Sequence, residues 1–138
     1  MRRLRITAGS YTFIARMEET TAPRTCEAVS GMLPLREKLV HARWSGEAMW
    51  VPMGDRTLGV GFEAHTSHPA PGQLLVYPGG LSEMEILVPY GSVLFASKVG
   101  QLAGNHFATI VEGAEHLADL GRLTLWHGAQ DLAIELEH

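Results

Sequence analysis

The sequence predicts a mainly β protein, a closed or nearly closed barrel of about eight strands with two helices packed against it. Three observations carry this. Short runs rich in β-branched and aromatic residues recur between turn signals, and 138 residues include 15 Gly and 7 Pro. Helical spacing of apolar residues occurs twice, once early and once late. No internal repeat or low-complexity tract interrupts the order.

Arg3 to Thr7 and Tyr11 to Met17, divided by Ala8-Gly9-Ser10, read as a β-hairpin. Thr20-Thr21-Ala22-Pro23 then opens a helix, with proline suited to its first turn. Cys26, Val29 and Leu33 form its apolar face, Arg24, Glu27 and Ser30 face water, and Pro34 ends it. Lys38 to Arg43 and Glu47 to Met53 are two strands joined around Ser45-Gly46. The glycine-rich stretch Gly54 to Gly61 is a surface loop. Gln73 to Tyr77 and Glu83 to Val88, parted by Pro78-Gly79-Gly80, form a second hairpin. Tyr90 to Phe95 is an irregular strand, Gly100 to Gly104 a turn, and His106 to Val111 a strand. Glu115 to Trp126 places Leu117, Leu120 and Leu123 at helical spacing, with Trp126 assigned to the core and Gly128 at the C-cap. Ala129 to Leu136 alternates as the last strand.

Composition narrows the function. With 46% hydrophobic and 19% charged residues the chain is a folded domain, taken as one unit over 1–135. Leu136-Glu137-His138 resembles the start of an expression tag and is set outside it. A net charge of −4 with scattered basic residues argues against a nucleic-acid surface. No run approaches the roughly 18 apolar residues of a membrane helix and no signal region is read, so the expected compartment is the cytoplasm. The single Cys26, on an apolar helix face, reads as an inert core thiol. No cofactor is called for.

Val40 to Trp50 packs an imidazole, a guanidinium, a carboxylate, a hydroxyl and two indoles into eleven residues. Such a mixture reads as a pocket lining, because Arg and Glu are rarely buried unless paired, while Trp supplies apolar wall. Arg43 carries a fork of donors suited to a carboxylate or a polarised carbonyl, or else an internal ion pair with Glu47 or Glu63. On a regular strand His41 shares the face of Arg43, where an imidazole could serve as general acid or base; it could equally be hydrogen-bonded at the sheet surface. Glu47, four residues past Arg43 across a tight turn, is expected to meet it as a cross-strand neighbour. Trp44 and Trp50 are the candidate walls. Ser45 reads as a turn residue, since no strand-turn-helix elbow surrounds it.

Glu63, His65 and His68 offer three potential metal ligands in six residues but lack a helical context and a clear fourth ligand. No metal is assigned, and Glu63 is read as a second carboxylate folding toward the pocket. Asn105 and His106 follow a glycine turn and are read as rim contacts or as turn chemistry, and Tyr90 as a further contact.

An N-terminal hairpin, then Ala22-Pro23-Arg24-Thr25-Cys26-Glu27-Ala28-Val29 opening a helix, then a strand bearing Arg43, resembles the beginning of cyclophilins. The whole chain also resembles a family of small uncharacterised bacterial proteins with a cyclophilin-like barrel. That resemblance runs through His41-Ala42-Arg43-Trp44-Ser45-Gly46-Glu47, Tyr77-Pro78, Tyr90-Gly91 and Gly104-Asn105-His106-Phe107-Ala108. It implies a cyclophilin-like fold and no established activity. Prolyl isomerases place an aromatic, a methionine and a glutamine five, six and eight residues after the arginine, where this chain has Ala48, Met49 and Val51. Only Met49 agrees, so peptidyl-prolyl isomerisation is the least expected activity. The expected function is binding of a small polar or anionic metabolite around Arg43. Two alternatives stand beside it: an enzyme acting on an amide or carbonyl, with Arg43 polarising oxygen and His41 or Glu47 moving a proton, and a non-enzymatic assembly partner, as a homo-oligomer.

Overall fold

A computed structural model describes residues 1–138. In chain order the elements are β1 (Arg3–Ala8), β2 (Tyr11–Met17), α1 (Pro23–Ser30), β3 (Leu35–His41), β4 (Gly46–Pro52), β5 (His65–Thr66), β6 (Gln73–Tyr77), β7 (Glu85–Val93), β8 (Ala96–Ser97), β9 (Gly100–Gln101), β10 (Gly104–Glu112), a 3-10 turn (Ala114–His116), α2 (Leu117–His127) and β11 (Gln130–Leu136). Eight strands close an antiparallel barrel in the order β2-β1-β11-β3-β4-β7-β6-β10, with β10 returning to β2. Strand β5 adds to the start of β10, and β8 with β9 forms a separate ribbon.

The two-residue period of the strands explains why the barrel is solid. Alternate residues such as Leu4, Ile6, Leu39, Met49, Val51, Ile86, Val88, Leu132 and Ile134 point inward and join one apolar core with Cys26 and Val29 of α1 and Leu117 and Leu120 of α2. Among these side chains remains a void of only about 10 Å³, lined wholly by apolar residues. No ligand of metabolite size fits inside.

A second core lies on the outside. The opposite faces of β4, β6 and β7 carry Ala48, Leu75, Tyr77 and Leu87, and Phe95 and Leu102, from the segments flanking the ribbon, pack onto them together with Ala42. Both faces of β6 are therefore buried, which is why its sequence Leu74-Leu75-Val76-Tyr77 is continuously apolar.

Several boundaries differ from the expectation. Strand β3 begins at Leu35, paired with Ile134, and ends at His41; the Ala42 N–H donates to the Ala48 carbonyl and the chain then bends, so Arg43 lies outside the strand. Strand β7 runs on to Val93 because β4 supplies partners as far as Gly46, and it absorbs most of the irregular strand expected after Tyr90. The turn expected at Gly100 to Gly104 holds β9 and the start of β10. Trp126 is 75% exposed and not in the core. At 100° per residue it stands about 180° around the helix from buried Leu117. The last strand reaches Leu136 as expected, Leu136 pairing with Leu4, and the Glu137 N–H donates to the Arg3 carbonyl. No helix is long and apolar enough to cross a membrane.

Candidate functional site

The outer face of the barrel holds a cleft of about 390 Å³ beside the second core. Its lining comes from three segments. The β3–β4 connection gives Arg43 and Trp44, the ribbon gives Lys98 and Val99, and the approach to β7 with its first residue gives Leu81, Glu83 and Glu85, with Trp50 of β4 also facing it. Ser45 fastens two of these together: its hydroxyl donates to the Ala96 carbonyl (2.9 Å) and accepts from the Ala96 N–H (3.0 Å). Gly46 beside it has φ +98°, and a Cβ there would stand 2.7 Å from the Ser92 carbonyl oxygen, so the turn requires glycine.

Glu85 is the unusual member. It is 5% exposed and sits opposite Pro52 on one side and Tyr77 on the other, on the same strand face as Leu87. No protein group donates a hydrogen bond to its carboxyl, and its oxygens are not sealed from the surface. Burial, reinforced by Glu83, pushes its pKa up to about 8. Neither Arg43 nor Lys98 is engaged by a protein carboxylate. The Arg43 guanidinium lies over the Trp44 ring, 5.5 Å from its centroid, and that indole is 55% exposed.

The residues singled out in sequence separate into four places. Arg43, Trp44 and Trp50 share the outer cleft. His41 and Glu47 do not join them; His41 is half-buried and Glu47 exposed, and they lie instead beside Tyr90 and Gly91 of β7. There the Tyr90 hydroxyl donates to His41 Nε2 (2.7 Å), while His41 Nδ1 donates to the Ala42 carbonyl (2.8 Å). The expected meeting of Glu47 with Arg43 is not made; Glu47 accepts from the Ser92 N–H (2.8 Å). Burial, and then Glu47, raises the Tyr90 pKa. Helix α2 covers this cluster, and a Cβ at Gly121 would stand 2.5 Å from the Tyr90 ring.

Glu63 and Asn105 serve α1. Ala22 at the helix start offers no side-chain cap, and Glu63 replaces it across 38 residues of chain, accepting from the Thr25 N–H (2.8 Å), the Thr25 hydroxyl (2.7 Å) and the Arg24 N–H (3.3 Å). Burial alone would raise the Glu63 pKa, but these hydrogen bonds lower it. Asn105 completes the joint, accepting from the Glu63 N–H and donating to Thr25 and to the Gly61 carbonyl. Glu63→Ala should therefore lower stability by about 1–2 kcal/mol, the usual worth of a helix cap. Urea unfolding checks this, and an unchanged midpoint would contradict the capping role.

His106 stands in the fourth place. Its Nε2 donates to Thr109 Oγ1 (2.8 Å), which donates to Glu18 (2.7 Å). Burial lowers the His106 pKa. Glu63, His65 and His68 do not converge, and no group of three His, Cys, Asp or Glu side chains has a geometry that could hold a metal. Cys26 is buried, its pKa pushed up to about 11, first by desolvation and then by Glu19. Sequence reasoning missed Glu85 and Lys98. A signal for the first was available, since Glu85 occupies an apolar-face position of an otherwise apolar strand.

A family model described as "Protein of unknown function (DUF3830)" matches residues 4–136. The chain belongs to this family. No curated protein matches. Among solved structures, McbB in complex with tryptophan superposes with a TM-score of 0.66 at 18% identity, covering 96% of this chain and 44% of that one. The chain thus spans less than half of McbB. The solution structure of the hypothetical protein AF2241 from Archaeoglobus fulgidus gives a TM-score of 0.61 at 18% identity, covering 97% and 93%. At these identities the likeness of the DUF3830 chain to both is one of fold.

Proposed function

We propose that this DUF3830 domain binds a small polar or anionic metabolite in the outer cleft, with Arg43 and Lys98 holding its acidic group and Trp44 and Trp50 flanking its body. One observation carries this reading: two cations without a carboxylate partner and a buried carboxyl without a donor line the same concave site. Its volume of about 390 Å³ falls in the range of metabolite pockets. McbB, similar in fold, is seen with an amino acid bound, which supports small-molecule binding on this architecture. The cyclophilin-like character of the barrel, a bacterial source and a cytoplasmic setting belong to the same proposal. The first two rest on the resemblance carried by Ala22 to Val29 and His41 to Glu47, and the third is the compartment expected from the sequence.

A thermal-shift screen of carboxylates, cyclic amides and ureas against wild type and Arg43→Ala tests it. A ligand at about 100 times its Kd adds roughly 2.7 kcal/mol of stability. Arg43→Ala should weaken a carboxylate hit by tenfold or more, the loss of one charge-assisted hydrogen bond of about 1.5–3 kcal/mol. A hit equally strong in both proteins would contradict the assignment.

One observation favours a second reading, chemistry at an amide or carbonyl. Glu85, protonated near neutral pH, shares the cleft with a guanidinium able to polarise oxygen. The proton-moving role then passes to it from His41 and Glu47. Turnover of any cyclic amide found in the screen should vanish in Glu85→Gln; persistence would exclude the role.

A further inference from the structure

We propose that the ligand of the outer cleft is a zwitterion of the α-amino acid class, its ammonium group seated at Glu83 and Glu85, its carboxylate at Arg43 and Lys98, and its side chain against Trp50. This rests on the reading of the cleft as a small-molecule site and assigns the chemical class. The charges of the cleft are sorted by segment. Both acids come from the approach to β7 and its first residue, and both bases from the β3–β4 connection and the ribbon. An anion alone would satisfy the bases and leave two carboxyl groups facing it. A cation alone would leave two bases unpaired. A zwitterion meets both, and the apolar Trp44, Trp50, Leu81 and Val99 accept its body.

The surroundings of Glu85 support the ammonium end. Strand β4 presents Pro52 and Trp50 to it, and β6 presents Tyr77, whose hydroxyl accepts from the Ser82 N–H (3.4 Å); none of these is a cation. The other charged groups of the cleft are Glu83, Arg43 and Lys98. Donors to the Glu85 carboxyl must therefore come from the cleft itself. In the empty site burial favours the protonated acid. An arriving ammonium reverses that preference. The carboxyl then gives its proton to solvent and pairs as a carboxylate with the ligand cation. Binding at pH 7 should release most of one proton, and affinity should rise with pH toward 8.

The test is titration calorimetry of the full chain at pH 7 in two buffers of different ionisation heat. The probes are L-tryptophan, L-phenylalanine and L-leucine, each beside its N-acetyl derivative and its deaminated carboxylate. At least one amino acid should bind tenfold or more tighter than its two analogues and release between half a proton and one. Glu85→Gln should abolish the release and shrink the preference below threefold. The wild-type comparison and proton count decide the matter even if that variant folds poorly. Analogues binding as tightly as their amino acids, or without proton release from the amino acids, would overturn the zwitterion while leaving the Arg43 anion site standing. Binding by none of the probes would overturn it too, and only an empty carboxylate screen would take the broader reading with it.

Discussion

Glu85→Gln should make the protein more stable at neutral pH, by up to about 3 kcal/mol at pH 7, and change nothing below pH 4. Folding raises the pKa of this carboxyl from 4.5 to about 8, so between those values the folded state holds a proton that the unfolded chain has released. Stability therefore falls as pH rises through that window, and the loss is complete above it. At about 1.36 kcal/mol per unit, 2.5 units of that window are spanned by pH 7. Glutamine occupies similar volume without a charge and escapes the penalty. Urea unfolding from pH 4 to 8.5 checks it, and parallel curves for the two proteins would contradict the burial of this group. Retaining an acid that weakens the fold at neutral pH is consistent with a role for it in the cleft.

Phe95→Ala should cost about 3–5 kcal/mol, the range for emptying a fully buried aromatic site. Phe95 is wholly buried in the outer core, edge-on to Tyr77 with ring centroids 6.4 Å apart. Its N–H donates to the Ser67 carbonyl and its carbonyl accepts from the Leu102 N–H, so it fixes both ends of the ribbon that carries Lys98. Ligand affinity should fall together with stability. Phe62→Ala is the control: that ring is 56% exposed and stacks only on His65, and its removal should cost no more than about 0.5 kcal/mol. Equal losses from the two substitutions would mean that the outer core does not hold the ribbon.

The inner barrel was legible in the sequence because period-two alternation states which side of a strand is buried. The expected β2 (Tyr11–Met17) and β6 (Gln73–Tyr77) agree with the structure to the residue. The site was less legible, for reasons that are also physical. Alternation places His41 and Arg43 together only while the strand continues, and the strand ends when Ala42 N–H pairs with Ala48, within the motif itself. Glu63 caps a helix 38 residues away, a partnership that no local pattern announces. The outer core depends on Phe95 and Leu102 folding back over β6 and β7, and only that return turns the face of Glu85 into a cleft. The concentration of polar and aromatic groups around Arg43 did point to a segment that lines this cleft, whereas Glu47 lies outside it and Glu85 within it.

The three tryptophans offer the most direct measurement of where a ligand sits. In protein carrying 15N-labelled indoles, titration with the best carboxylate from the thermal-shift screen should move the Trp44 and Trp50 signals, which line the outer cleft, and leave Trp126, on the far face of α2, in place. Movement of Trp126 with Trp44 and Trp50 silent, or no indole response at a saturating ligand concentration, would contradict the placement of the binding site in this cleft.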